Sequence, residues 1–275
     1  MTDHSAIALH YERPGLLETI LDALEKAGKS PPYTLNDLAP VDQFHMGGKS
    51  ATEGLAHLAR IDGKTRVLDV GGGIGGPART LANEFGCPVT VLDLSEEFCR
   101  TADALNRLTG LDYLVTVRHG NALAMPFDPR SFDCAWTQHS SMNIADKRAL
   151  YREIHRVVRP GGTLAIHEVT AGMRGRIFMP VPWASLHGMS HLESPHELRE
   201  AIEEAGFRAR EWEDVTPAAL FWWQSRKVDS RNPAPPPPVG IHLILGPAAA
   251  EMGANTLRNI EEDRIRVVRG VFTRL

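Results

Sequence analysis

"LDVGGGIGGPARTLA", Leu68 to Ala82, sets five glycines within six positions, after an apolar run that contains Asp69 and before an alanine-rich helical pattern. Residues without side chains add nothing to a core, so glycine at this density marks a place where something must approach the main chain closely. "TRVLDV" ahead of the loop reads as a strand, and residues 77–85 read as a helix with Ala78, Leu81, Ala82 and Phe85 facing inward. A strand, a glycine turn and a helix N-terminus in that order form a nucleotide-binding corner. Gly71, Gly73 and Gly76 satisfy G-x-G-x-x-G, which admits a nicotinamide or flavin dinucleotide. Asp69, two residues before Gly71, disfavours that ligand. A carboxylate beside a pyrophosphate sets two anions together, whereas a ligand carrying an ammonium group welcomes it. Asp93 ends the next apolar run, 22 residues after Gly71, where it can accept both hydroxyls of a ribose.

Outward from the loop, strand and helix signals alternate. "PVTVLDL", "YLVTVRHG", "SFDCAWTQ" and "GTLAIHEV" read as further strands, "FRAREWEDV" as a sixth and "RIRVVRGVFTRL" as the last. A helix runs from Ser95 to Gly110, and Asp146 caps another whose inner face is Leu150, Ile154, Val157 and Val158, stopped by "RPGG". Ser194, Pro195 and Glu197 open a helix that Gly206 closes. Near the N-terminus, Leu16, Leu17, Ile20, Leu21, Leu24 and Ala27 share one helical stripe, which "KSPP" ends. Ser50 and Glu53 form a capping-box pattern that opens a helix to about Arg60. Residues 170–193 are irregular, and two helical patterns in 217–262 flank "PAPPPPVG", a stiff spacer. The alternation predicts a three-layer, doubly wound α/β fold: a mostly parallel sheet with helices on both faces and a ligand at the carboxyl ends of the strands.

Composition narrows the function. The 275 residues carry a formal net charge of −4 and 43% hydrophobic residues, with no basic stripe for a polyanion, so nucleic acid is not expected as a ligand. Cys87, Cys99 and Cys134 stand apart with no CxxC spacing, which points to a reducing compartment and away from a thiolate metal site. The N-terminal residues show no signal pattern and no run approaches 18 apolar residues, so the expectation is a cytoplasmic protein without a membrane segment. His187, Glu193, His191 and His196 cluster in sequence, but Gly188, Ser190 and Pro195 deny them a regular helix, and no metal is expected.

Taken in register, "VLDVGGGIGGPARTLA", "VTVLDLS", "HGNALAMPF", "FDCAWTQHS" and "VVRPGGTLAIHE" resemble the successive motifs of the class I S-adenosylmethionine-dependent methyltransferases, over roughly residues 66–168. The resemblance implies a Rossmann-like sheet of seven strands whose last is antiparallel, with S-adenosylmethionine as cofactor. It implies that Asp69, Gly71, Gly73 and Gly75 hold the methionyl part, Asp93 and Leu94 the ribose, Asn121 and Ala122 the adenine, and that Gln138 lies beside the sulfonium. Where the family commonly has Asp, this chain has Asn121, whose amide can still serve an adenine edge. "DQFHMGGKSATEGL" and "TQHSSMNIADK" are similar to a subgroup containing sarcosine/dimethylglycine and tocopherol-type enzymes, which places Gln43 and His45 over the methionyl end. Alternatively Phe44 packs and His45 caps the following helix.

These expectations divide the chain into an N-terminal lid and cofactor-covering loop (1–49), a cofactor-binding core (50–169), a lid insertion (170–193), a core helix and strand (194–214), a helical cap (215–263) and a final strand (264–275). Methyl transfer is an in-line displacement that needs alignment in a dry pocket and, for many acceptors, a base. His139, with Gln138 and His167, is the catalytic candidate; Ser140 stands beside it at the end of the fourth strand. Arg174 and Arg176 would anchor an acceptor carboxylate, and Trp183 and Trp222 would line an apolar or cationic acceptor. A small-molecule amine such as sarcosine is the favoured acceptor, with O- or C-methylation the alternative, and the sequence leaves a homodimer open. Two other functions compete: a cofactor-binding module without catalysis, and a nicotinamide-dependent oxidoreductase, which the position of Asp69 disfavours.

Overall fold

The computed structural model describes residues 11, 13–225 and 237–275. Its helices and strands are α1 (Leu16–Lys26), α2 (Leu35–Asp42), α3 (Gly48–Ala59), β1 (Val67–Val70), α4 (Gly76–Phe85), β2 (Val89–Asp93), α5 (Glu96–Leu108), β3 (Val115–His119), β4 (Phe132–Gln138), α6 (Lys147–Val157), β5 (Val158–Ala171), α7 (Pro195–Glu204), β6 (Phe207–Asp214), α8 (Thr216–Gln224), the short α9 (His242–Leu245), α10 (Ala249–Glu261) and β7 (Ile265–Arg274). One seven-stranded sheet has the order β3-β2-β1-β4-β5-β7-β6. Its pairs are parallel from β3 to β5, while β7 runs antiparallel to both β5 and β6. The chain leaves β1 in one direction to build β2 and β3 and returns on the other side to add β4. A crevice therefore opens at the carboxyl ends of β1 and β4.

Alternating side chains of the buried strands feed two cores. Leu68, Val70, Ala135 and Ile166 pack against Leu150 and Ile154 of α6 and Leu198 and Ile202 of α7. Val67, Val91, Trp136 and Ala165 face the other way, onto Leu55 and Ala56 of α3 and Leu81 and Ala82 of α4. Doubly covered strands explain why β1 is buried along its whole length and β4 at six of its seven positions, rather than alternately.

Two smaller clusters cap the crevice. Leu16, Ile20 and Leu24 of α1 pack with Leu38, Ile74 and Phe98. Met46, Met142, Val181, Trp183 and Met189 pack with Ile260 and Val267, and Trp222 and Trp223 lie against them.

Several local expectations are corrected. The helix from Leu16 ends before "KSPP", because Gly28, at φ 75°, takes the left-handed conformation that lets Lys29 N–H reach back to Leu24 O. The Ser50–Glu53 pattern does not start α3; the helix begins at Gly48, after Gly47 at φ 88°, and both residues lie inside its first turns. Between them runs α2, which the sequence reading took as loop. Its Thr34–Asp37 capping box is complete, and the helix carries Pro40 within its eight residues. The "RPGG" segment continues directly into β5, with Val158 paired to Phe132. The first half of the "PAPPPPVG" spacer, residues 233–236, lies outside the described residues.

Candidate active site

The glycine loop is anchored from β2. Gly71 N–H donates to Leu92 O at 2.7 Å and Gly73 N–H to Asp93 Oδ2 at 2.8 Å, while Asp93 Oδ1 accepts from Ser95 N–H at 2.9 Å. Ser140, just past β4, seats on the loop by donating to Val70 O at 2.9 Å. Only glycine fits opposite it: a Cβ on Gly71 would stand 2.6 Å from the Ser140 Cβ, at a φ of 72°. Gly76 is just as constrained, since a Cβ there would run into the backbone carbonyl of Asp42.

Above the loop lies a cavity of about 340 Å³. Asp69, Gly71, Gly73, Asp93, Leu94, Asn121, Ala122, Gln138, His139, Ser140 and His45 all line it. So eleven of the residues singled out from sequence, taken from β1, β2, β4 and five loops, do converge on one space. Asp69 is buried, its Oδ2 has no hydrogen-bond partner among the described residues, and burial, with Asp93 nearby, pushes its carboxyl up to about 7. Burial also raises Asp93, while the amides of Ser95 and Gly73 oppose the shift. A bare loop, an orphaned buried carboxylate oxygen and a second carboxylate at the next strand end suit a nucleoside that carries positive charge.

His139 sits at the sheet edge with φ 53°, a left-handed conformation uncommon for a non-glycine residue. Both its N–H and its Nδ1 lie against His167 O, at 2.8 and 2.9 Å. A carbonyl can only accept, so Nδ1 carries the proton and Nε2 the lone pair. Nε2 has the Met46 N–H at 3.4 Å, a weak contact that a better donor can displace. Burial lowers the imidazole to about 4, so the ring is neutral at physiological pH.

The structure places the other expected site residues differently. His167 does not line the cavity; it lies behind His139, ring centroids 4.8 Å apart, and burial beside two other imidazoles and Arg269 holds it neutral. Gln138 lines the cavity, but its Oε1 is taken by Thr52 Oγ1 and Trp136 Nε1, each at 3.1 Å, so it braces the wall. Gln43 turns to Asp42, and Gly75 is the left-handed N-cap of α4 rather than a wall. Arg174 and Arg176 are exposed and are not among the cavity walls. β5 and β7 pair as far as Ala171 and Ile265, so the chain beyond them docks on the β7 end, Arg174 N–H on Asp263 O and Arg176 O under Arg264. Trp183 is buried in the cap cluster with its Nε1 on Ser190 Oγ, and Trp222 packs on Trp223 beside Gly48; neither lines the cavity. Among the described residues, no cluster of three or more His, Cys, Asp or Glu could hold a metal, and no helix is long and apolar enough to cross a membrane. The three thiols are free and buried.

The structure also adds residues. Tyr11 donates to Asn143 Oδ1 at 2.9 Å across the cavity rim, and Asn143 Nδ2 donates to Trp183 O and Met189 O, which ties the N-terminal segment to the 170–193 lid. Phe44 and Phe98 close the apolar side, ring centroids 6.2 Å apart. Glu168, fully buried beneath the site, accepts from the N–H of both Ser140 and Ser141 at 3.2 Å and holds the turn after β4. Glu168 lies within β5, three residues before its end, and nothing local in the sequence tells a buried anchor from a reacting group.

Comparisons with known proteins agree with this geometry. A methyltransferase-domain family profile matches residues 68–166. The chain is 29% identical over 177 residues to the glycine/sarcosine/dimethylglycine N-methyltransferase of Actinopolyspora halophila, covering 64% of this chain and 31% of that one. It is 32% identical over 183 residues to the 24-methylenesterol C-methyltransferase 2 of Oryza sativa subsp. japonica, covering 64% and 50%. The chain thus spans between about a third and a half of the length of these curated relatives. A solved geranyl diphosphate C-methyltransferase from Streptomyces coelicolor A3(2) shares the fold with a TM-score of 0.71 at 20% identity, over 100% of this chain and 99% of that one. Motifs, sheet order and profile coincide on the same residues: 68–166 carry a methyltransferase domain, and the chain resembles the class I S-adenosylmethionine-dependent methyltransferases.

Proposed function

We propose that this protein transfers the methyl group of S-adenosylmethionine to a small molecule. The observation that carries the proposal is the convergence of a bare glycine loop, the orphaned Asp69 carboxylate and Asp93 on the cavity beside His139. Asp69 and the loop would hold the amino-acid end, Asp93 with Leu94 the ribose, and Asn121 with Ala122 the adenine. When bound, the donor supplies an electrophilic methyl group on a sulfonium. The chain's own work is to align, to exclude water and to receive a proton. Phe44, Phe98 and the Tyr11–Asn143 contact close the cavity, and Nε2 of His139 is the lone pair available to an acceptor.

The first test is calorimetry with S-adenosylhomocysteine. Asp93→Ala frees two amide donors and removes the ribose acceptor, and charge-assisted hydrogen bonds contribute about 1.5–3 kcal/mol each, so binding should weaken by roughly 10- to 100-fold. Unchanged affinity would end the reading. The same titration run against pH examines Asp69. Its ionised form attracts the ligand's ammonium, and its carboxyl is raised to about 7, so affinity should climb between pH 6 and 8 as the proton leaves. Asp69→Asn should flatten that rise, and an equally steep rise in the variant would assign it to another group.

Two acceptor readings follow from relatives rather than geometry. N-methylation of a glycine- or sarcosine-like amine is favoured by the first curated match, but the arginines expected to hold its carboxylate lie outside the cavity. C-methylation of an apolar substrate is favoured by the second.

A further inference from the structure

At the edge of the sheet where the parallel strands begin lies a second hollow, of about 420 Å³. It is bounded by the end of α3, the turn into β1, the starts of β4 and β5, and Arg210 of β6. The register between β4 and β5 makes the room. Val158 pairs with Phe132 and Thr163 with Cys134, so four residues of β5 stand opposite one of β4. Those four are the "RPGG" segment, a helix stop in the sequence that here forms a wall. Gly161 takes φ 71°, and a Cβ on Gly162 would stand 2.8 Å from both Asp133 O and Arg159 O, so both positions require glycine.

Four basic residues line the hollow, Arg60, Lys64, Arg159 and Arg210, against two acids, Asp62 and Asp133. Both acids are engaged within the protein. Asp133 Oδ1 accepts from Arg159 Nε at 2.6 Å, and its Oδ2 from the N–H and Nε of Arg66 at 2.9 and 3.1 Å. Asp62 Oδ1 accepts from Thr65 Oγ1 at 2.8 Å and from Lys64 N–H at 3.0 Å. The Arg210 guanidinium is fixed at the end of α3 by donating to Leu58 O at 2.9 Å. Arg60 and Lys64 have no side-chain hydrogen bond or salt bridge among the described residues. In a chain of formal net charge −4, the hollow is thus a local excess of cations.

Ordinary helix chemistry accounts for only part of this. Arg60 caps the C-terminus of α3, where the helix dipole favours a cation, but it does so at φ 58°, which strains arginine and suits glycine. The dipole gives no reason for Lys64, Arg159 and Arg210 to meet there from three other elements. The apolar members of the wall, Ala59, Ile61 and Cys134, are buried, and no aromatic side chain lines the hollow. A nucleobase or an apolar body therefore finds no stacking surface, whereas guanidinium forks and an ammonium match the oxygens of a phosphate.

We propose that this hollow is a second binding site, for a small non-aromatic anion built around a phosphate group, with Arg60 and Lys64 as its principal partners and Arg159 and Arg210 completing the positive wall. The site is independent of the methyl-transfer reading. It shares no wall residue with the cofactor cavity, and the two take opposite ends of β4, Asp133 and Cys134 here and Gln138 there.

Calorimetry at pH 7.5 with glycerol phosphate, inorganic phosphate and glycerol tests the site. Glycerol phosphate or inorganic phosphate is expected to bind with a Kd of about 1 mM or tighter, and glycerol not at all. Equal or tighter binding of inorganic phosphate identifies the free anion as the ligand, and tighter binding of the ester identifies an organic phosphate; either upholds the site. Arg60→Gly combined with Lys64→Ala should weaken phosphate binding by at least ~10-fold, the scale of one lost charge-assisted hydrogen bond. Glycine accepts the backbone at position 60, so the thermal midpoint should not fall, and S-adenosylhomocysteine affinity should stay within about twofold. Unchanged phosphate affinity in the double variant, no binding of either phosphate at ~10 mM, or competition between phosphate and S-adenosylhomocysteine overturns the proposal.

Discussion

Replacing His139 by asparagine should lower turnover by ~10²–10⁴-fold, the usual contribution of a positioned proton acceptor, while the affinity for S-adenosylhomocysteine stays within about a factor of two. Asparagine is the informative substitution because the residue sits at φ 53°, which asparagine tolerates and alanine does not. The split between turnover and affinity follows from the geometry. The imidazole is held from behind, Nδ1 on His167 O, the ring lines the cavity, and Nε2 takes the Met46 N–H at 3.4 Å. The glycine loop, Asp69 and Asp93 do not depend on it. Because burial lowers His139 to about 4, its own protonation should leave turnover flat between pH 6 and 8. An acid limb near 7 would belong to Asp69 or to Glu168, both raised to about that value by burial. Equal losses in turnover and affinity would make His139 a strut of the β4 edge and nothing more.

Arg79→Leu should destabilise the fold by about 3–5 kcal/mol, the cost of leaving a buried charge without its partner. Arg79, in the first turn of α4, is completely buried; Nη2 meets Asp42 Oδ2 and Nη1 meets Asn106 Oδ1, each at 2.9 Å. Asp42 ends α2 and borders the cavity, and Asn106 belongs to α5, so one guanidinium pins the lid to the core beneath the glycine loop. At about 2–4 °C per kcal/mol for domains of this class, thermal unfolding should shift down by roughly 10 °C. The double variant Asp42→Leu with Arg79→Leu should regain much of the loss, because neither charge is then stranded. A single-variant cost below about 1 kcal/mol would show that water reaches the pair.

Much of this site was legible because its logic is local. Five glycines in six positions, an acid two residues ahead and another at the next strand end specify a corner of backbone and the ligand class that fits it, before any long-range contact is known. The strands of the sheet could be read for the same reason: Val67–Val70 and Phe132–Gln138 are rich in apolar residues around Asp69 and Asp133 because both faces are covered. Pairwise roles were less legible. His139 and His167 look equivalent in sequence, each at a strand end, yet one lines the cavity and the other stands behind it, because the β4–β5 register pairs Gln138 with His167. Arg174 and Arg176 look like anchors in an irregular lid, but strand pairing to Ala171 carries them past the cavity.

By itself, then, the sequence determined the layered α/β fold, the cofactor corner and the resemblance to methyltransferases. These rest on periods of two and 3.6 residues and on glycine's freedom, which act over a few neighbours. Only the tertiary structure decided that His139 offers Nε2 and that Arg79 is spent on Asp42. It alone put Tyr11 on Asn143 across the rim and left the cavity's described walls without a cation. Those facts join residues as many as 132 positions apart. Proton positions, pKa shifts and charge balance depend on what stands within a few ångströms in space, and no local pattern records that.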